Sequence, residues 1–350
     1  MLVALREPIM PVRHLAAAAV AGALFIASAM AQTAPPAARL GAPWQTTTVK
    51  PSAKPAKPGA FRTADDIARY IYAYRSKREP LRLPQLFGAM TELGLLADTE
   101  TSGLHLGFLG GMLAGDPGKA AATVAVLFPL KPEHHAALIK VIAYSGLPDW
   151  RGLLRQNAER MPGRVVLIDR FVTGRMHALE TLQLDAGPVP LDVLWGNYFA
   201  TGAFEPILRM VSVLAWSKDV NDVEKLTIGS MAKWTLATNA SNDPDLLRLL
   251  KSTVGTESAA TQRLLTEVIA AAETGEIAPI RKGALVAIEQ LKAKGPAHTR
   301  STAWWGQAGQ IALSLGCIAA SALGAPATIG IPCVIGGAAS TAAIKILTPQ

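Results

Sequence analysis

The chain is poor in the residues that carry most recognisable chemistry. Only two of its 350 residues are cysteine, Cys317 and Cys333, so it can form one internal disulfide and no more. Aromatic residues make up 6% and charged residues 17%, well below the usual quarter, and the apolar half of the chain is mostly Ala, Leu, Val and Ile. Such a composition favours helices over sheets. No G-x-S-x-G elbow of the serine-hydrolase type occurs, and no fixed repeat period runs through the chain. Segment AGDPGKA (114–120) imitates the end of a phosphate-binding loop. It has Leu113 where the first glycine belongs and Ala120 where a metal-binding hydroxyl belongs, so it reads as a helix break with a solvated lysine.

Acidic residues are missing from one stretch altogether. Residues 32–60 carry Arg39, Lys50, Lys54 and Lys57 with no carboxylate, while Arg6, Glu7 and Arg13 leave residues 1–31 at +1. Of the formal +8, only +3 belongs to the rest, so the high isoelectric point is no argument for nucleic acid as a partner. Residues 1–31 read as an export signal. Arg13 and His14 precede the apolar run LAAAAVAGALFIASAM, and Ala29-Met30-Ala31 supplies the small-x-small pattern of a cleavage site, with cleavage expected after Ala31. The alternative is a retained anchor, although the run is short for a span of about 20 apolar residues. Export of this kind points to a periplasmic or secreted bacterial protein. Residues 32–60, with six prolines and almost no large apolar side chains, have the composition of an extended linker.

From residue 61 the pattern is helical. Thr63 followed by Asp65 and Asp66 is an N-cap signal, and Pro117, Pro132, Pro190 and Pro244 stand where helix starts are expected. Leu191, Leu194, Trp195, Tyr198 and Phe199 fall at i, i+3, i+4, i+7 and i+8; Ile207, Met210, Val211 and Leu214 follow the same series, as do Leu265, Val268, Ile269 and Ala272. Stretches 122–130 and 164–172 fit either a short strand or a buried helix. The predicted fold is all-α: an irregular multi-helix array or bundle over residues 61–299, followed by a C-terminal small-residue hairpin over 300–350.

The segments LDVLWGNYFATGAFEPILRMVSVLAW (191–216) and IGSMAKWTLATNASNDPDLLRLLK (228–251) resemble exported proteobacterial proteins of unknown function. Those proteins pair a D-x-L-W-G-x-F/Y-x-A-T-G segment with an A-K-W-x-L-A-x-N-A segment. The resemblance implies an all-helical exported protein and brings no activity and no functional residue.

Titratable clusters give no site. His134 and His135 are adjacent and point about 100° apart on a helix, His105 and His298 stand alone, and His177 with Glu180 at i, i+3 lacks the second pair a carboxylate-bridged metal needs. No metal, cofactor or catalytic residue is assigned. Trp195, Tyr198, Trp216 and Trp234 either line a ligand groove between helices or pack in the core. Between Arg300 and Lys345 lie 44 residues without a formal charge, divided by Gly324-Ala325-Pro326. Antiparallel halves bring Cys317 and Cys333 to one level, and a bridge worth ~3 kcal/mol would hold a tail with few bulky side chains in an oxidising compartment. The same tail, residues 301–347, is also long enough to contact a membrane. The expected function is therefore an exported, non-enzymatic binding or scaffold protein for an unknown protein or envelope component. The alternative is a secreted effector or toxin-like protein whose tail enters lipid.

Overall fold

In the computed structural model, which describes residues 61–294, five helices start at side chains that satisfy otherwise unpaired amides. Helix α1 (Ala64–Ala73) opens on a capping box: Thr63 Oγ1 accepts from the Asp66 amide at 3.1 Å, and Asp66 Oδ2 accepts from the Thr63 amide at 3.0 Å. It tightens into a 3-10 turn, Tyr74–Ser76. Then come α2 (Leu83–Glu92), α3 (Gly103–Ala114), α4 (Ala120–Val126), α5 (His135–Ala143), α6 (Trp150–Gln156) and α7 (Val165–Val172). The second half holds α8 (Val189–Thr201), α9 (Glu205–Ser212), α10 (Val223–Ala240), α11 (Pro244–Thr253), α12 (Ala259–Thr274) and α13 (Ala278–Lys294). Asp149, Asp222, Asp243 and Ser258 cap α6, α10, α11 and α12, each accepting from a first-turn amide. Among the described residues there is no strand, and the all-α array expected from composition is what forms.

The ambiguous stretches fold as α4 and α7. The prolines behave less uniformly than expected. Pro244 opens α11 and Pro190 is the second residue of α8, but Pro117 and Pro132 open 3-10 turns that lead into α4 and α5. A proline in a first turn loses no bond in either geometry. The proposed signal (1–31), the linker (32–60) and the C-terminal hairpin with Cys317 and Cys333 lie outside the described residues.

One contiguous apolar core runs from Ile67 of α1 to Ala272 of α12. Its axis is the pair α3 and α8, the most extensively packed elements among those described. Eleven of the twelve residues of α3 are buried. The pair meets backbone to backbone, because glycines recur every four residues at Gly103, Gly107 and Gly111 and face Asp192, Val193, Gly196 and Ala200. A Cβ at Gly107 would stand 2.1 Å from the Val193 carbonyl oxygen, and one at Gly196 would stand 2.1 Å from that of Leu104. Side chains normally hold helix axes 8–10 Å apart; glycine alone removes that spacer. The other side of α3 is equally tight, with Gly110 against the Tyr144 carbonyl that ends α5.

His105 is carried into this core. It is 5% exposed, its Nε2 has no partner, and burial pushes its pKa down to about 4. The folded pKa lies below the unfolded value near 6.5, so the stabilisation from keeping this ring neutral is complete above pH 6.5 and lost as pH falls toward 4. A shift of that size corresponds to about 3 kcal/mol. Asp192, whose carboxyl burial pushes well above its ordinary range, works in the opposite sense. Urea melts of the wild type and His105→Leu at successive pH values isolate the first effect: the variant is expected to lose much less stability than the wild type between pH 6.5 and 4.

Candidate functional site

A cleft of about 760 Å³ opens where the 3-10 turn after α1, the α8–α9 connection, the end of α10 and the start of α11 converge. At its base is a three-residue cluster. Tyr198 on α8 donates its hydroxyl to Asp243 Oδ2 at 2.8 Å, and Arg75 donates Nη1 to the same hydroxyl oxygen at 2.7 Å and Nη2 to Asp243. Asp243 is held rigidly, because its other oxygen, Oδ1, caps α11 by accepting from the Asp245 and Leu246 amides, both at 3.2 Å. Burial, then the bond to Asp243, pushes the Tyr198 hydroxyl up, so it remains a protonated donor throughout the physiological range.

The cleft wall carries two more guanidiniums. Arg78 donates to the Thr201 carbonyl at 2.6 Å and has no carboxylate partner among the described residues, while Arg248 pairs with Asp245 one turn earlier on α11. Gly202 makes room for Arg78: its φ of +67° ends α8 in the left-handed region, and a Cβ there would stand 3.2 Å from the guanidinium. Apolar surface comes from Phe199 and from Phe204, which is 51% exposed. Asn239 adds a polar side chain whose Nδ2 donates to the Thr235 carbonyl at 2.9 Å and whose Oδ1 is without a partner.

Neither histidine nor cysteine lines the cleft, and its serines donate to carbonyls of their own turns, Ser76 to Ala73 at 2.6 Å and Ser252 to Leu249 at 2.8 Å. Neither serine is hydrogen-bonded to a base. Guanidiniums beside an exposed aromatic ring suit a small anion with an apolar body.

Of the two readings the sequence leaves for Trp195, Tyr198, Trp216 and Trp234, a groove or the core, packing against the core is what the structure has. Trp195 and Tyr198 are completely buried in the core, and the Trp195 indole donates to Thr235 Oγ1 at 3.1 Å. Trp216 and Trp234 are half-buried against the same core. Of these four, only Tyr198 reaches the cleft's polar cluster, through its hydroxyl. His177 and Glu180 do not share a helix, since His177 precedes the 3-10 turn Leu179–Thr181; Glu180 instead accepts from the Trp150 indole at 3.2 Å. His135 bonds the Leu130 carbonyl at 3.0 Å, and Lys119 pairs with Asp116 at 2.9 Å in the helix break before α4. Among the described residues, no three His, Cys, Asp or Glu side chains converge as a metal site would require, and no helix is long and apolar enough to cross a membrane.

Arg75, Arg78 and Asp243 were not singled out by sequence. The one local signal was Asn242-Asp243-Pro244, which marks a helix start and says nothing about a partner on another element. No family model matches the chain, and no curated protein or solved structure is similar to it at a significant level.

Proposed function

We propose that the protein is an exported, non-enzymatic helical binding protein of the bacterial envelope whose cleft takes a small carboxylate-bearing ligand with an apolar body. The observation that carries this reading is Arg78, a guanidinium on the cleft wall with no carboxylate partner among the described residues, lining the same cleft as the exposed Phe204. A carboxylate there gains charge-assisted bonds without displacing an internal ion pair. Export rests on the N-terminal pattern ending at Ala29-Met30-Ala31, and the Pro/Lys-rich residues 32–60 suit a spacer between envelope and folded unit.

N-acetyl-phenylalanine combines a carboxylate, an amide donor and an aromatic body, so it is the probe of choice. The full chain is expressed, recovered from the periplasmic fraction, checked by intact mass for a start at Gln32, and titrated by calorimetry. Saturable binding by the wild type and at least ten-fold weaker binding by Arg78→Ala support the proposal. Absence of saturable binding, or equal affinity of the two proteins, rejects the cleft; a mass that retains residues 1–31 rejects cleavage.

A further inference from the structure

The arginines of this protein are not evenly spread. Residues 61–294 contain 26 lysines and arginines against 25 carboxylates, yet segment 151–175 holds six arginines and only two carboxylates, so it stands at +4 while the remainder stands at −3. The segment is the helical hairpin α6–α7 with the two 3-10 turns between them, and α6 packs on α7. All six arginines are exposed. Helices of seven and eight residues are each roughly 10–12 Å long, so these charges fall within about two Debye lengths of one another and act as one field.

Three of the six are committed locally. Arg151 lies over the Trp150 ring at 4.3 Å, Arg160 lies over the Phe128 ring at 5.1 Å, and Arg175 is bonded to Asp169. Arg155, Arg164 and Arg170 have no carboxylate partner among the described residues. Beside them the hairpin exposes aliphatic surface. α7 buries Ile168 and Phe171 but leaves Val165 52% and Val166 70% exposed, next to exposed Pro162 and Arg164.

We infer that the α6–α7 hairpin is a docking surface for an anionic phospholipid bilayer, with the arginines on the headgroup phosphates and Val165 and Val166 entering the headgroup–acyl boundary. The juxtaposition of the two surfaces favours this partner. A polyphosphate such as DNA would match the charge but offer nothing to exposed valines, and the hairpin exposes no aromatic ring for stacking on bases. The surface is separate from the cleft, shares no residue with it, and stands or falls independently of the ligand proposed there.

The test is co-sedimentation of the full chain with vesicles of equal parts phosphatidylglycerol and phosphatidylcholine, and with phosphatidylcholine alone. Binding is expected to the first and not the second, and to weaken steadily as sodium chloride rises. Each arginine near an anionic surface contributes about five-fold in partitioning, so the triple variant Arg155→Gln/Arg164→Gln/Arg170→Gln is expected to bind on the order of 100-fold more weakly. Val165→Asp/Val166→Asp is expected to weaken binding as well, with thermal melts of both variants matching the wild type. Loss of vesicle binding through misfolding is recognised by a shifted melt, in which case the salt dependence of the wild type decides: a flat response overturns the inference. It is also overturned by wild-type binding of the triple variant, which would place the contact elsewhere, as in residues 301–344. Equal binding to both vesicle types, or duplex DNA binding that suffers the same loss in the triple variant, overturns it too.

Discussion

Gly107→Ala is expected to lower stability by about 3 kcal/mol, with a fall in Tm of roughly 10 °C, because one methyl group must be placed 2.1 Å from the Val193 carbonyl oxygen. The neighbour is backbone, which cannot swing aside as a side chain would. Relief requires α3 and α8 to separate, and separation loosens the contacts of Gly103, Gly111 and Gly196 along the same seam. Gly196→Ala is expected to behave alike, since its Cβ meets the Leu104 carbonyl oxygen at 2.1 Å. Gly88→Ala is the control. Gly88 lies in α2 with nothing within 4 Å of its built Cβ, so alanine there should stabilise by about 0.5–1 kcal/mol through helix propensity. Urea denaturation of the three variants checks the contrast, and a Gly107→Ala protein as stable as the wild type would contradict the close seam.

Asp243→Ala is expected to cost about 3–4 kcal/mol. The loss has two parts that a second variant separates. The carboxylate caps α11 through Oδ1, a role worth about 1 kcal/mol, and through Oδ2 it neutralises the half-buried Arg75 guanidinium and accepts from Tyr198. Removing one member of a buried pair leaves the other charge poorly solvated, which accounts for the larger share. Asparagine caps as well as aspartate but carries no charge, so Asp243→Asn should recover roughly the capping part and little more. Chemical denaturation measures all three proteins; equal stability of the alanine variant and the wild type would mean that the cluster contributes nothing to the fold. The same substitution frees Arg75 at the base of the cleft, so a change in probe affinity is expected alongside the loss of stability.

Much of the helical fold was legible because caps and one-sided apolar spacing are local signals. Thr63 and Pro244 mark the starts of α1 and α11, and the spacing of Ile207, Met210 and Val211 names the buried face of α9. Spacing misleads for α8. Leu191, Leu194, Trp195, Tyr198 and Phe199 read as one apolar face, but Val193, Gly196, Asn197 and Ala200 are buried too, because α3 covers what the pattern leaves as the outer side. The four-residue glycine spacing of α3 was in plain view, yet it acquires meaning only with a partner helix to approach. The cleft was illegible for the same reason: Arg75 and Asp243 are 168 residues apart, and no local pattern couples them. Trp195 and Tyr198 drew attention as bulky amphipathic side chains, and the structure uses that bulk to fill the core.

The order in which α3 and α8 are made has a consequence for the nascent chain. Translation delivers α3 five helices ahead of α8, with eleven of its twelve residues destined for burial and four glycines that give it little helicity of its own. Until residue 201 has left the ribosome, the side of that segment destined for α8 has no native surface to close against, since α2, α4 and α5 cover only its other sides. A growing polypeptide of this kind is a natural client for a holding chaperone, and handling it as an unfolded thread until synthesis is complete avoids the interval in which its spine would be bare.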